Sequence, residues 1–271
     1  MQPPANKSNE KPRVALFAAF YAGFEVTQFA LEQPFSLAFV ATCDRDDSEY
    51  ESRIAGLCEE KGVSCLRRVN VNSTSTIDEI VRQGLDIAIL AWWPPIIKCE
   101  ALSVVRKGWL NLHPSLLPFN RGKHPYYWSI VEGTPFGVSI HLVDKGIDTG
   151  HCLFQQAISI DITDTGESLY RKSVETNIAL FKESYEQIVS LDFVQKEQDS
   201  RLATFHWGRE IEPHSTINLD KSYRALDLLN IIRARTFQGG PSACFYKDGK
   251  KYFVRIQIEE SQDGVTIGKR I

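Results

Sequence analysis

No stretch of this 271-residue sequence approaches the roughly 20 consecutive apolar residues that a helix needs to cross a bilayer. A surplus of one charge is also missing. The 31 Lys and Arg face 34 Asp and Glu, a formal net charge of -3, which argues against broad binding to nucleic acid or anionic membranes. Cysteine is sparse. The six, Cys43, Cys58, Cys65, Cys99, Cys152 and Cys244, show no CxxC spacing and are too few for a disulfide scaffold, so reduced thiols in a cytoplasmic protein are expected. The opening MQPPANKSNEKPR is polar and Pro-rich and lacks the apolar centre of a signal peptide, so residues 1–12 are expected to form a flexible tail. No GxGxxG follows the first apolar run, which counts against a nicotinamide-dependent oxidoreductase. No serine or cysteine is placed as in a nucleophile elbow, and there is no internal repeat or low-complexity tract.

What remains is a globular composition, 43% hydrophobic and 24% charged, with apolar runs punctuated at α/β intervals. Residues 14–20 (VALFAAF), 37–42 (LAFVAT) and 86–91 (DIAILA) have the continuous apolar character of strands buried on both faces of a parallel sheet. Residues 63–67 and 108–112 read as further strands. Between them, residues 24–33, 49–61, 75–83 and 100–107 carry helical spacing, the third with Thr76 as N-cap and Glu79 completing a capping box. A strand over 136–143 and a long helix from Thr165 to Val189 follow, then a polar linker, Gln195 to Arg201. The last seventy or so residues carry a helix over 221–236, with Asp220 as N-cap, and two strands (243–246 and 251–258) joined through Lys247-Asp248-Gly249-Lys250, where Asp-Gly signals a tight hairpin turn. The predicted fold is α/β, a Rossmann-like, mostly parallel sheet flanked by helices with a small C-terminal α+β appendage. Its divisions are a tail (1–12), a catalytic domain (13–195) and the appendage (201–271).

In open sheets of this kind ligands bind beyond the carboxyl ends of the strands. Three loops fall there: Phe20 to Gly23, Ala91 to Ile97 and His113 to Gly122. The densest polar stretch, Trp109 to Gly150, feeds the third. Asn111 and His113 stand two apart at a strand end, so their side chains share one face. Asp148 lies in the glycine-bracketed turn Gly146-Ile147-Asp148-Thr149-Gly150. Each has an ordinary alternative: Asn111 as a turn cap, His113 as a satisfied loop histidine, Asp148 as a turn former. Brought together, they supply an amide donor for an oxyanion, a proton carrier working near neutral pH and a carboxylate to orient it. With no nucleophile beside them, they suit direct acyl transfer, in which the acceptor itself attacks the acyl carbon.

The segments NLHPSLLP followed by Arg121-Gly122, then Gly137-Val138-Ser139-Ile140-His141, then Asp144-Lys145-Gly146-Ile147-Asp148-Thr149-Gly150, resemble the folate-dependent formyltransferase family over roughly residues 13–190. That family includes methionyl-tRNA formyltransferase, the glycinamide ribonucleotide enzyme and the sugar-nucleotide N-formyltransferases, which this chain resembles most. The resemblance implies an enzyme, an N10-formyltetrahydrofolate-dependent N-formyltransferase, with Asn111, His113 and Asp148 as its catalytic trio and no metal. It implies that the pterin enters beside Leu90, Trp92, Trp93 and Ile96 and against Asp144, Gly146 and Ile147. An unprotonated amine would attack the formyl carbon through a tetrahedral intermediate, with Asn111 and a protonated His113 on the oxyanion and Asp148 sustaining the charge.

The acceptor implied is the primary amine of a nucleotide-linked amino-dideoxyhexose destined for surface polysaccharide. Methionyl-tRNA formyltransferases carry a longer C-terminal domain, and the bulky loop Lys123-His124-Pro125-Tyr126-Tyr127-Trp128 departs from theirs. Residues 201–271 hold twelve Lys and Arg against eight Asp and Glu, a mild excess that suits a phosphate-bearing small molecule and not a nucleic acid. Phe20, Tyr21, Arg121, Lys123, His124, Tyr126, Arg233, Arg235 and Phe237 are the candidate acceptor contacts; core packing or a solvated helix face is the alternative for several of them. A homodimer, with no nucleic-acid or membrane partner, is expected. The alternatives are a methionyl-tRNA or other small-amine formyltransferase and a non-catalytic folate-binding protein.

Overall fold

The structure is a computed structural model that describes residues 11–35, 37–46 and 48–261. Residues 1–10 of the tail and Asp47 of the charged turn after the second strand lie outside the described residues. The first half of the chain alternates strand and helix: β1 (Val14–Ala18), α1 (Phe20–Glu32), β2 (Phe39–Cys43), α2 (Glu49–Glu60), β3 (Cys65–Val69), α3 (Thr74–Gln83), β4 (Ile87–Ala91), α4 (Cys99–Ser103) and β5 (Trp109–His113). Then come a two-residue strand β6 (Arg121–Gly122), α5 (Pro125–Glu132), β7 (Phe136–Leu142), β8 (Cys152–Ile158) and the long helix α6 (Gly166–Ser190). The C-terminal part holds β9 (Phe205–His206), α7 (Ile211–His214), α8 (Ala225–Ala234) and the hairpin β10 (Ala243–Lys247) and β11 (Lys250–Val254). Among the described residues no helix is long and apolar enough to cross a membrane.

The main sheet runs β3-β2-β1-β4-β5-β7-β8. Its first five strands are parallel, while β7 is antiparallel to β5 and β8 to β7. The order reverses between β1 and β4, which opens a crevice at the carboxyl ends of those strands. Strand alternation sends Val14, Leu16, Ile87, Ile89, Leu110 and Leu112 against α1 and α6, and Ala15, Phe17, Ala88, Leu90 and Trp109 against α3 and α4. Phe17 and Trp109 are fully buried on that second face, and each large side chain so buried contributes roughly 1.5–3 kcal/mol. A third core joins Tyr127, Trp128 and Ile130 of α5 to Leu169, Ile211 and Ala234, so α5 packs the C-terminal elements onto the sheet.

Several local expectations are corrected. Helix α1 starts at Phe20, four residues ahead of the predicted start, because Phe20 itself takes a left-handed backbone (φ 58) and donates its N–H to Asp46 at 2.8 Å. Helix α3 is capped by Ser73, whose oxygen accepts from Thr76 N; Thr76 lies inside the helix and Glu79 pairs with Arg82. Helix α8 begins at Ala225, and Arg224, not Asp220, occupies its N-cap position. The stretch Lys123–Trp128 is mostly the start of α5, with Pro125 at its first turn. The hairpin turn is as expected, with Asp248 and Gly249 both at positive φ (50 and 72).

Candidate active site

Asn111 and His113 project from β5 at the edge of the parallel part of the sheet. The β5–β7 register sets Asn111 directly opposite His141, so the two side chains share a face, and Asn111 Nδ2 lies 3.3 Å from His141 Nε2. The loop from β7 to β8 returns Asp148 to the same place. Asp148 Oδ2 lies 3.7 Å from His113 Nε2 and accepts the Gly122 N–H at 2.9 Å, while its Oδ1 lies 3.6 Å from His141 Nε2. The structure thus brings together the three predicted catalytic residues and adds a fourth, His141.

Asp148 reaches this position through a left-handed backbone (φ 54). Its loop is braced by Asp144, which accepts from Gly146 N at 2.9 Å and Thr149 Oγ1 at 2.5 Å. Gly150 is required: a Cβ there would sit 1.9 Å from the Leu142 carbonyl oxygen. Phe20, Trp92, Asn120 and His124 also have φ between 53 and 60. A non-glycine residue in this region costs on the order of 1–3 kcal/mol and persists only where its surroundings hold it. Two of them, Phe20 and Trp92, line one cavity.

Burial holds His113 neutral, pushing it from 6.5 to about 4 against the opposing pull of the Asp148 carboxylate and an Asn120 backbone contact, with His141 and Lys123 adding to the downward push. Asp148 goes the other way. Burial raises it, yet His113, His141 and the Gly122 N–H together hold it well below the usual carboxylate range. At neutral pH the resting pair is therefore a neutral imidazole beside an ionised carboxylate. His113 Nε2 is buried with no hydrogen-bond partner. His141 Nδ1 lies 2.8 Å from the Leu142 carbonyl, an acceptor, so that nitrogen carries a hydrogen, and Nε2 is turned to Asn111 and Asp148.

His113, His141 and Asp148 form the one group of three potential metal ligands among the described residues, their ligating atoms within 4.8 Å of one another. Zinc bonds of about 2.0–2.2 Å would require these side chains to close in, and the Asn111 amide already faces His141. The arrangement reads more directly as a proton-handling cluster.

The remaining sequence candidates divide by position. Leu90 and Trp93 are buried beneath the crevice, Trp92 is half-buried and Ile96 stands 71% exposed at its rim. Asp144 and Gly146 are exposed, and Ile147 is half-buried beside Asp148. Phe20, Tyr21 and Trp92 line one cavity of about 190 Å³ together with Tyr170, Arg171, Val174 and Glu175. Tyr126 bonds His124 Nδ1 through its hydroxyl (3.0 Å) and meets Tyr170 and Phe237 edge-on. An aromatic wall therefore runs from the cavity to Phe237. Lys123 is exposed, whereas Arg121 is committed to Gln198. Arg233 and Arg235 are buried: Arg233 donates to the carbonyls of Asp161 and Asp164, and Arg235 pairs with Glu212. His141 is not among the sequence candidates, although it closes the Gly137-Val138-Ser139-Ile140-His141 segment. Tyr170 is also absent from them; its signal was a large aromatic on the polar face of α6.

The fold and this cluster define a class first, a Rossmann-like α/β transferase whose gathered groups are an amide, two imidazoles and a carboxylate, without a serine or cysteine among them. Residues 41–184, more than half of the chain, match the family described as "Formyl transferase", and the chain belongs to that family. Residues 210–260 match "N-formyltransferase dimerization C-terminal domain". A methionyl-tRNA formyltransferase from Lachnospira eligens is 25% identical over 221 residues, 77% of this chain and 69% of that protein. Among solved structures, a sugar N-formyltransferase from a Shewanella species superposes with a TM-score of 0.78 at 23% identity, covering 93% of this chain and 99% of that one. The N-formyltransferase from Helicobacter canadensis, solved in complex with folinic acid and dTDP-3-aminofucose, gives a TM-score of 0.70 at 20% identity, with 89% and 86% covered.

Proposed function

We propose that the chain moves a formyl group from N10-formyltetrahydrofolate to the primary amine of a nucleotide-linked amino sugar. One observation carries the acceptor class: the likeness to the Shewanella sugar enzyme spans 99% of that chain, whereas the tRNA enzyme is matched over 69% of its length. The donor fits the crevice chemically. The faces of a heteroaromatic ring find Trp92, Ile96 and Ile147 at the rim, and the self-braced loop 144–149 leaves backbone groups to read its polar edge. Bound there, the folate supplies the activated formyl carbon.

The residues then divide the work. The Asn111 amide donates to the carbonyl oxygen as the amine adds to the formyl carbon and negative charge develops on it. Neutral His113 accepts the proton that the amine loses and becomes an imidazolium beside Asp148, whose carboxylate favours that form. As the C–N bond to the folate breaks, the same proton passes to the departing nitrogen. His141 holds Asn111 and Asp148 apart at fixed spacing. Phe20, Tyr21, Tyr126 and Tyr170 offer aromatic faces to the sugar or base. Tyr246, Tyr252 and Phe253, 58%, 43% and 61% exposed on the β10–β11 hairpin, form the surface for a homodimer.

The test is incubation with N10-formyltetrahydrofolate and a panel of nucleotide-linked 3- and 4-amino-dideoxyhexoses, read by mass spectrometry for replacement of one hydrogen by formyl. Formylation of at least one sugar, and none with Asn111→Ala, is expected. Formylation of methionyl-tRNA alone would overturn the acceptor assignment.

A further inference from the structure

Neither family match includes residues 185–209. Part of that stretch reads in sequence as a polar linker. In the structure it is a strap laid over the loops that carry the cluster. Lys196 exchanges two backbone hydrogen bonds with Cys152, at 2.9 and 2.8 Å. Two residues on, the half-buried Gln198 donates from Nε2 to the carbonyls of Asp148 (2.9 Å) and Gly150 (2.7 Å). Its Oε1 accepts from Arg121 Nε (3.1 Å) and Nη2 (2.8 Å). The amide fits only this way round, since the reverse would aim its oxygen at two carbonyls and its NH₂ at a guanidinium. Farther along, Thr204 Oγ1 accepts from Asn120 N at 2.7 Å, and the Thr204 carbonyl accepts from Arg121 N at 3.0 Å. Strand β9 then pairs in parallel with β6, whose Gly122 N–H holds the Asp148 carboxylate. The strap therefore grips Asp148 twice, by its backbone through Gln198 and by its carboxylate through β6.

We propose that Gln198 is a positioning residue for formyl transfer: its two donated hydrogen bonds hold Asp148 in the left-handed backbone that turns the carboxylate onto His113 and His141. The inference rests on Asp148 belonging to the catalytic cluster. Aspartate tolerates the left-handed region better than most residues but does not prefer it to the right-handed one, so its surroundings decide whether it stays at φ 54. Gln198 meets the carbonyls on both sides of the turn and so selects that conformation.

The discriminating variant is Gln198→Glu. It keeps the size and the acceptor for Arg121, now as an ion pair, but sets an oxygen against two carbonyls where donors stood. A residue that only tethers Arg121 would tolerate it. A residue that positions Asp148 would not, and kcat should fall about tenfold or more with KM for N10-formyltetrahydrofolate near wild type, the pattern of a loss confined to the transition state. Gln198→Met, which removes the donors without adding charge, carries the same expectation should Gln198→Glu fail to fold. A readout free of any acceptor is the ¹⁵N-histidine NMR titration of His113, assigned by its absence in His113→Asn. In Gln198→Glu it should move toward the curve of Asp148→Asn, with the thermal midpoint little changed. Wild-type kcat and an unmoved His113 curve in Gln198→Glu, with Asp148→Asn inactive, would overturn the proposal. Full activity in Asp148→Asn would overturn instead the reading of the cluster on which it rests.

Discussion

Acid should weaken this protein in a window set by His113. In the folded chain burial pushes its imidazole from 6.5 to about 4, so between those values the unfolded chain binds a proton there that the folded chain refuses. Stability rises with pH wherever the unfolded state holds more protons, and so falls as the solution is acidified. The contribution is whole above pH 6.5 and is lost progressively as pH drops toward 4, below which both states are protonated. A displacement of that size, at about 1.4 kcal/mol per pH unit, is worth roughly 3 kcal/mol. Domains have on the order of 5–15 kcal/mol in total, so the loss is large enough to measure. The comparison is urea unfolding of wild type and His113→Asn from pH 8 to 4. The difference in ΔG between them should be flat above pH 7 and shift by roughly 3 kcal/mol in favour of the variant as pH falls to 4. With an m-value on the order of 3 kcal/mol per molar, the two midpoints move relative to each other by about 1 M. His124 and His214, also lowered chiefly by burial, keep contributing to the acid sensitivity of both proteins and cancel in the difference. Parallel curves for the two proteins across the whole range would refute the argument, because they would mean His113 titrates alike folded and unfolded.

Three further outcomes are expected. Asn111→Ala should lower kcat about a hundredfold or more, the usual cost of one oxyanion donor, with an unchanged thermal midpoint, since its side chain makes only the 3.3 Å contact to His141. Gly150→Ala, whose methyl would sit 1.9 Å from the Leu142 oxygen, should displace the Asp148 loop and abolish activity, while Gly56→Ala, with nothing within 4 Å, should pass unnoticed in the same assay. Tyr246→Asp combined with Phe253→Asp should shift the sedimentation coefficient of a homodimer to that of a monomer; a wild type that sediments as a monomer would refute the interface.

Much of the scaffold was legible because local pattern and final environment agree. The runs at β1, β2 and β4 are apolar throughout because helices cover both sides of the sheet, and Asp248-Gly249 supplies the two positive φ values its turn demands. Asn111 and His113 were legible for a similar reason, since the two-residue repeat of a strand is local. What escaped depends on contacts between distant residues. His141 joins the cluster through the β5–β7 register, and nothing in its own segment indicates that partner. Gln198 lies 48 and 50 residues from the carbonyls it holds, inside a stretch whose polarity looks like a linker's. The N-cap of α3 was misplaced because Ser73 and Thr76 both carry capping hydroxyls, and only the Ser73 oxygen is presented to a free N–H. Arg233 and Arg235 look like solvated charges at a helix end, yet both turn inward to carbonyls and to Glu212.

The two halves of the site are supported by different parts of the fold. The proton-handling cluster hangs on β5, β7 and the loop between β7 and β8, and its strained members are fixed from outside by Gly122 and Gln198. The aromatic wall hangs on α1, α5, α6 and the segment after α8, through Tyr21, Tyr126, Tyr170 and Phe237. A change at Tyr170 or Phe237 alters the ring contacts of Tyr126 without touching any bond to Asp148. A change in the strap does the opposite. On the proposed reading, acceptor choice can therefore change through α6 and the C-terminal segment while the cluster keeps its bonds, whereas a change in the strap removes the hydrogen bonds that Gln198 gives to the carbonyls of Asp148 and Gly150.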